Sequence, residues 1–355
     1  MSKFASALVA WHAEHGRHDL PWQGTRDPYR IWLSEVMLQQ TQVATVLRYY
    51  DRFLARFENV EALAAASLDD VFAHWSGLGY YSRARHLHRC AQVVMAEHGG
   101  RFPTSAAQLV QLPGIGRSTA AAIAAFCFGE RAAILDGNVK RVLARVLAFD
   151  GNLAEPASLR SLWAHAESLL PEDAVDVYTQ GLMDLGADVC LARAPRCLAC
   201  PVSDVCAAAA SGTPTHFPMK RAPLRRGRRE HVWLWLTWRE QLWLLPRPSR
   251  GIWAGLWSLP EFEAVGDDFA RVTAAWPGAC ERLPSFTHAL THLDWTLHPR
   301  RWQVPSMLPA ERLGEVIANW PEGRWFDRDA ALALGLPAPL RRLLSAPVRV
   351  AIEAG

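Results

Sequence analysis

The chain has 355 residues, half of them apolar and 21% charged. That excludes a disordered polypeptide and exceeds what one hydrophobic core usually organises, so two domains are expected. A formal charge of +3 permits a nucleic-acid partner without demanding one. The first ten residues lack a sustained apolar core, and no stretch reaches the roughly 18 apolar residues of a membrane span. A cytoplasmic location is expected, or a nuclear or mitochondrial one in a eukaryote, with no membrane partner.

The first two hundred residues predict helices joined by short turns. Asp27-Pro28 is a start signal, with Asp27 as cap and Pro28 pre-set for the first turn. Glu35 falls inside this helix, in Ile31-Trp32-Leu33-Ser34-Glu35-Val36-Met37-Leu38. A carboxyl among such neighbours loses solvent, its pKa rises, and it can hold a proton near neutrality as a general acid must. An exposed position or a structural salt bridge is the plainer alternative. Gln39-Gln40-Thr41-Gln42 breaks the pattern, and a second helix follows with Val43, Val46, Leu47, Tyr50, Phe53, Leu54 and Phe57 on one face. Gly77-Leu78-Gly79-Tyr80-Tyr81 is a glycine-flexed aromatic turn. Exposed amides and aromatics of these two kinds can fill the gap left by an extruded base. A third stripe, Ala84 to Met95, stops at Gly99-Gly100.

In Leu112-Pro113-Gly114-Ile115-Gly116-Arg117-Ser118 a helix is expected to stop at Pro113. The glycines turn the chain, and Ser118 is placed to cap the next helix. Such a hairpin aims backbone N–H groups outward, which suits a phosphate. Ile134-Leu135-Asp136-Gly137-Asn138-Val139 ends an apolar stretch on a carboxylate, with a helix expected from about Asn138. Asp136 either caps that helix or steadies a sugar cation, the second half of two-carboxylate glycosidic cleavage.

Four of the seven cysteines, Cys190, Cys197, Cys200 and Cys206, lie within seventeen residues. Thiolates so spaced can surround one inorganic centre, and chemistry alone allows a four-thiolate zinc site or a [4Fe–4S] cluster. A disulfide framework is not expected in a reducing compartment. Cys90, Cys127 and Cys280 read as small buried hydrophobes.

Residues 213–230 predict an extended, proline-containing linker bearing Lys220, Arg221, Arg225, Arg226, Arg228 and Arg229, which is either a solvated spacer or a phosphate contact. Beyond it the period becomes two. Val232, Leu234 and Leu236 alternate with Trp233, Trp235 and Thr237, and Arg239-Glu240 turns the chain into Leu242 to Leu245 as a hairpin. Leu308 to Val316 and Asp329 to Leu344 can supply helices, giving an α+β domain with its own core, where eleven of the sixteen tryptophans lie.

Taken together, these motifs resemble the helix-hairpin-helix glycosylase superfamily, and within it the MutY-type adenine DNA glycosylases. The match runs through Leu20-Pro21-Trp22, Trp32 to Val43, Gly77 to Tyr81, Pro113 to Ser118, Leu135 to Val142, Met183-Asp184-Leu185-Gly186-Ala187 and the four cysteines. The resemblance implies a multidomain fold, α and α+β: an all-α glycosylase domain over 1–212 with a [4Fe–4S] loop at 190–206, and a Nudix-like lesion-recognition domain over 231–345. It implies a monomer acting on double-stranded DNA, with adenine mispaired with 8-oxoguanine as the target and the base flipped out before cleavage. Glu35 becomes the acid that protonates the leaving adenine, Asp136 the stabiliser of the sugar cation, and Asn138 their assistant. Gln40 and Tyr80 resemble residues inserted beside the mispair, Thr41 and Leu78 residues near the oxidised guanine, and Gly114, Gly116, Arg117 and Ser118 the phosphate-binding hairpin.

Ser118 stands where relatives resembling endonuclease III carry a lysine whose amine attacks the sugar. Serine cannot form that Schiff base, so a monofunctional glycosylase is expected. A bifunctional glycosylase-lyase and a non-catalytic lesion binder are the alternatives. After Gly251 the closely spaced acidic set of a Nudix hydrolase is missing, and only Glu261, Glu263, Asp267 and Asp268 occur. The family's Phe-Ser-His recognition turn stands here as Leu290-Thr291-His292, which keeps a hydroxyl and an imidazole and loses the aromatic.

Overall fold

In the computed structural model, residues 1–219 and 225–346 are described; Lys220 and Arg221 of the basic run lie outside them. The chain divides into two compact units, Met1–Ala65 with His86–Ala222, and Ala66–Arg85 with Pro223–Gly355.

The first two hundred residues supply helices α1 (Lys3–His15), α2 (Pro28–Leu38), α3 (Val43–Arg56), α4 (Val60–Ala65), α5 (Leu68–Trp75), α6 (Ser82–His98), α7 (Ala106–Leu109), α8 (Arg117–Phe128), α9 (Gly137–Val146), α10 (Pro156–Ser168), α11 (Val175–Asp184) and α12 (Ala207–Ala210), and no described residue before Gly227 is in a strand. The start and stop signals act as expected. Asp27 accepts from the Tyr29 N–H at 2.9 Å, and Gly99 and Gly100 leave α6 at φ 59° and 79°. The helical unit closes on Phe4 and Leu8 of α1, Val139 and Leu143 of α9, Leu162 of α10, and Tyr178 and Leu182 of α11. Buried alanines 120–122, 124 and 125 of α8 let neighbouring helices approach closely.

The second unit is built on β1 (Gly227–Trp238), β2 (Gln241–Pro246), β3 (Trp257–Ser258), β4 (Glu261–Glu263), β5 (Ala279–Arg282), β6 (Phe286–Ala289), β7 (Leu293–Gln303) and β8 (Arg324–Phe326), with α13 (Asp268–Thr273), α14 (Ala310–Ile317), α15 (Arg328–Leu332) and α16 (Ala338–Ser345). The strands run β3-β2-β1-β7-β5, with β4, β6 and β8 paired to β1, β7 and β2. At the centre β1 and β7 are parallel from Gly227↔Leu293 to Thr237↔Gln303. Arg239 and Glu240 make the β1–β2 turn with both φ positive, 47° and 66°, as a twisted two-residue hairpin requires. Both faces of the sheet are covered. Trp233, Trp295 and Leu297 meet Leu336 and Leu340 on one side; Leu234, Leu236 and Trp302 meet Leu313 and Val316 on the other.

Five expectations need correction. Residues 66–85 pack with the sheet unit, not with the helical domain that contains them in sequence. The linker is shorter than 213–230: Pro214–His216 forms a 3₁₀ turn and β1 already begins at Gly227, because parallel pairing with β7 draws Arg228 and Arg229 into the sheet. The helix before the hairpin ends at Leu109, ahead of Pro113, and Gly116 rather than Ser118 is the cap of α8. Asp329 to Leu344 is two helices, α15 and α16, separated by Gly335 and Pro337. Cys90 and Cys127 are buried as expected, whereas Cys280 is exposed.

Candidate active site

Glu35 sits on α2, half-buried, on the wall of a cavity of about 450 Å³ also lined by His12, Arg17, Trp22, Phe126 and Gln180. Burial raises its carboxyl pKa to about 8, and the negative charge of Asp136 pushes in the same direction. Asp136 caps α9. Its Oδ1 accepts from the Val139 N–H at 2.7 Å, so capping and chemistry are compatible roles for one side chain. The residue before it is pinned as well: the Leu135 N–H donates to Ser118 Oγ at 2.8 Å. Ser118 therefore holds the backbone that carries Asp136.

Asn138 is the second residue of α9, where Arg141 Nη2 donates to its Oδ1 at 2.9 Å and to the Gly186 carbonyl at 2.6 Å. A Cβ on Gly186 would come within 2.7 Å of the Asn138 Cβ, which explains the glycine. Arg141 Nε continues to the Cys190 carbonyl at 2.8 Å, linking the start of α9 to the cysteine loop. Between α11 and Cys190 the chain widens into a π-turn, with Cys190 N–H donating to Leu185 O at 2.7 Å.

Sequence reasoning missed a buried group that contacts three of the lining residues, His12, Arg17 and Gln180. Asp184 is fully buried and accepts from the Arg17 N–H at 2.9 Å, Arg17 Nε at 2.8 Å, Arg17 Nη2, and Gln180 Nε2 at 2.9 Å. His12 Nε2 stands 3.4 Å away, and burial holds its imidazole pKa down against the pull of Asp184. The signal available in the sequence was Gln180 and Asp184 at i, i+4 on one helix face.

The four cysteines are brought together as expected. All of them line one pocket with Val142, Arg145, Val189 and Val202. Among the described residues no three potential ligands are drawn tightly enough to hold a single ion; the sulfurs share a pocket rather than a point. Burial pushes the Cys200 thiol up to about 11, and repulsion from Cys190, Cys206 and Cys197 adds to it. The thiolate is the metal-binding form of cysteine, and a cationic centre bound among such sulfurs would favour it. Arg145, 2% exposed, donates to Cys190 Sγ at 3.3 Å and to the Cys190, Leu191, Ala192, Pro214 and Phe217 carbonyls.

The remaining predicted residues are dispersed. Gln40, exposed at φ 56°, and Thr41 lie between α2 and α3 of the helical unit. In the hairpin, Gly114 has φ 79° and a Cβ there would strike the His86 Cβ at 2.5 Å, while Gly116 opens on free space. Arg117 turns to Glu167 and lies 3.8 Å over the Trp163 ring. In the sheet unit Tyr80 is 48% exposed, at φ 48°, whereas Leu78 is 6% exposed. Thr291 and His292 are exposed at the tip of the β6–β7 hairpin.

The family description "HhH-GPD superfamily base excision DNA repair protein" matches residues 33–166, and the NUDIX domain matches residues 231–346. The adenine DNA glycosylase of Buchnera aphidicola subsp. Acyrthosiphon pisum (strain APS) is 32% identical over 343 residues, 96% of each chain. The chain belongs to the adenine DNA glycosylase family. The Homo sapiens adenine DNA glycosylase is 42% identical over 217 residues, 59% of this chain and 40% of that one. Among solved structures, a thermostable thymine-DNA glycosylase aligns at TM-score 0.54 and 31% identity over 59% of this chain and 95% of that one. An endonuclease III–DNA complex, 20% identical, shares the fold at TM-score 0.51 over 60% of this chain and 98% of that one. Membership of the adenine DNA glycosylase family thus accounts for both units, a helix-hairpin-helix domain and a Nudix-like domain.

Proposed function

We propose that the chain binds duplex DNA, flips an adenine into the cavity beside Glu35, and hydrolyses its N-glycosidic bond. The observation that carries this is the Glu35 carboxyl, whose raised pKa keeps it protonated at neutral pH on the wall of that cavity. Glu35 gives its proton to the purine as the bond to the sugar breaks, so the base departs neutral. Asp136, with one oxygen tied to Val139, has the other for the cationic sugar. Water adds to the anomeric carbon and its proton returns to Glu35. Gln180, whose amide nitrogen is engaged by Asp184, keeps its carbonyl oxygen for an exocyclic amine such as adenine carries.

Serine at 118, already bound to Leu135, supports base removal without strand cleavage. The resemblance supports 8-oxoguanine as the base opposite, read by Thr291 and His292, and a monomer working in the cytoplasm. It also supports a [4Fe–4S] cluster on Cys190, Cys197, Cys200 and Cys206. Bound there, the cluster would supply positive charge to the sulfurs and order to the 190–206 loop rather than bond-making chemistry.

Single-turnover assays on adenine opposite 8-oxoguanine, guanine or thymine, and on thymine opposite guanine, test the proposal. Free adenine is expected from the first two, with strand breaks only after alkali, and no release of thymine. Absence of adenine release from the oxidised mispair overturns the reading, and thymine release would redirect it.

A further inference from the structure

The aromatic turn at 77–81 is fixed at two levels. Within the turn, Arg83, buried at 7% exposure, donates from Nη2 to the Leu78 and Gly79 carbonyls at 3.2 Å each, and Trp75 Nε1 donates to the Gly79 carbonyl at 3.1 Å. The Arg83 guanidinium also lies 5.6 Å from the Tyr80 ring centre. Tyr80, a non-glycine residue at φ 48°, is thus held in a conformation costing of order 1 kcal/mol.

The second level joins the turn and its flanks to residues 169 or more positions later. The Tyr81 hydroxyl donates to the Leu336 carbonyl at 3.0 Å, and Arg85 Nη2 donates to the Ala254 carbonyl. Trp257 Nε1 donates to Asp69 Oδ1 at 3.3 Å. Phe72 meets the Tyr81 ring edge-on at 5.6 Å and presses on Gly335 so closely that a Cβ there would lie 2.4 Å from its own. These contacts all fall within the sheet unit, which also carries Thr291 and His292.

We propose that Tyr81 and Arg85 are positioning residues that fix the Tyr80 turn on the Nudix-like unit, making recognition of the opposite base and insertion of Tyr80 properties of one body. The proposal rests on the reading of Tyr80 as a residue inserted into DNA. The catalytic carboxylates belong to the other unit, so loosening this anchorage changes which mispair is held, not the acid chemistry. The helical-domain motif that carries Tyr80 would then be incomplete without residues 254–257 and 335–336.

Hydrogen exchange on the full-length protein tests the anchorage directly. Tyr81→Phe, which keeps the ring, removes a buried hydrogen bond and Arg85→Gln a part-buried one, and exchange of amides 76–85 is expected to quicken about tenfold. Amides 134–146 around Asp136 should keep their protection. The same variants should lower the ratio of affinities for adenine opposite 8-oxoguanine and opposite guanine, with the single-turnover rate at saturating enzyme retained. Gly335→Ala, which displaces Phe72 from the opposite side, should reproduce both effects. Unchanged exchange at 76–85, or acceleration spread over the whole chain, overturns the anchorage. Tyr80→Ala separates the two layers: if it leaves the affinity ratio intact, insertion by Tyr80 is wrong even where the exchange result stands.

Discussion

The two units solve opposite problems with opposite materials. The helical unit keeps ionisable groups out of water: Glu35 on a cavity wall, Asp184 fully buried, Arg145 nearly so. Each is tolerable only because neighbours satisfy it or because it gives up its charge. The sheet unit is held by stacked aromatics instead. Trp253 lies parallel to Trp295 at 4.8 Å, with Trp233 and Phe286 alongside, and its candidate recognition residues stand exposed on a hairpin tip. On the proposed function, chemistry sits where burial changes protonation, and recognition sits where side chains can reach a partner. Substitutions should therefore split, with changes in the helical unit altering rate and titration and changes in the sheet unit altering stability or preference.

The largest effect should come from Glu35→Gln. Removing a general acid costs about 10²–10⁴ in rate, while binding to mispaired DNA persists. In the unaltered protein the rate should be full below pH 8 and fall above it, since the proton held by Glu35 is lost near its pKa of about 8. The sign on stability is the reverse of a salt-bridged carboxylate. Between the ordinary value of 4.5 and about 8 the unfolded chain releases a proton that the folded chain retains, so stability declines as pH rises through that window and levels beyond it. A raised pKa of this size amounts to at most about 5 kcal/mol. Glu35→Gln should accordingly raise the melting temperature at pH 8.5 more than at pH 5, and equal shifts at both would show the carboxyl is not desolvated.

Next in size is Arg145→Gln. The substitution removes this donor from the part-buried Leu191, Ala192, Pro214 and Phe217 carbonyls and from the Cys190 sulfur, at up to about 1–3 kcal/mol for a group left unpaired and dry. Lower melting temperature and lower iron content of the purified protein are expected together. Full iron content in a destabilised variant would restrict Arg145 to the Pro214 and Phe217 carbonyls.

In the sheet unit, Trp253→Leu should cost less. The stacked pair contributes about 0.5–1.5 kcal/mol beyond its buried area, with Arg247 5.7 Å from both ring centres. A modest loss of stability with unchanged single-turnover rate is the expected outcome; a slowed rate would mean that the division of labour between the units is wrong.

Legibility follows the same division. The Asp27-Pro28 start, the Gly99-Gly100 stop and the Arg239-Glu240 turn are local devices, and a few residues announce each one. The four cysteines and the Glu35 environment were readable because composition around one position is enough to set desolvation. What could not be read depends on partners far away in sequence. Gly227 to Glu230 look like linker until β7 pairs with them, and 66–85 look like helical domain until Leu336 and Ala254 are in place. Asp184 was visible as a motif member, but its hub needs Arg17 from the other end of the unit. Gly116 displaced Ser118 as cap because the serine hydroxyl had a better use, holding Leu135 beside Asp136.

The smallest expected effect is Arg117→Gln, and it tests how the hairpin holds a phosphate. A basic residue beside Gly114 and Gly116 invites the view that its charge meets the DNA backbone. The structure turns its guanidinium toward Glu167 and onto Trp163; Arg117 and Glu167 are exposed enough that their ion pair should contribute under about 1 kcal/mol. If backbone N–H groups do the binding, log affinity against log salt should keep its slope in Arg117→Gln and thermal stability should barely move. A slope shallower by about one unit would mean that Arg117 leaves Glu167 on binding and spends its charge on a phosphate. The hairpin would then work through a side chain as well as through its backbone.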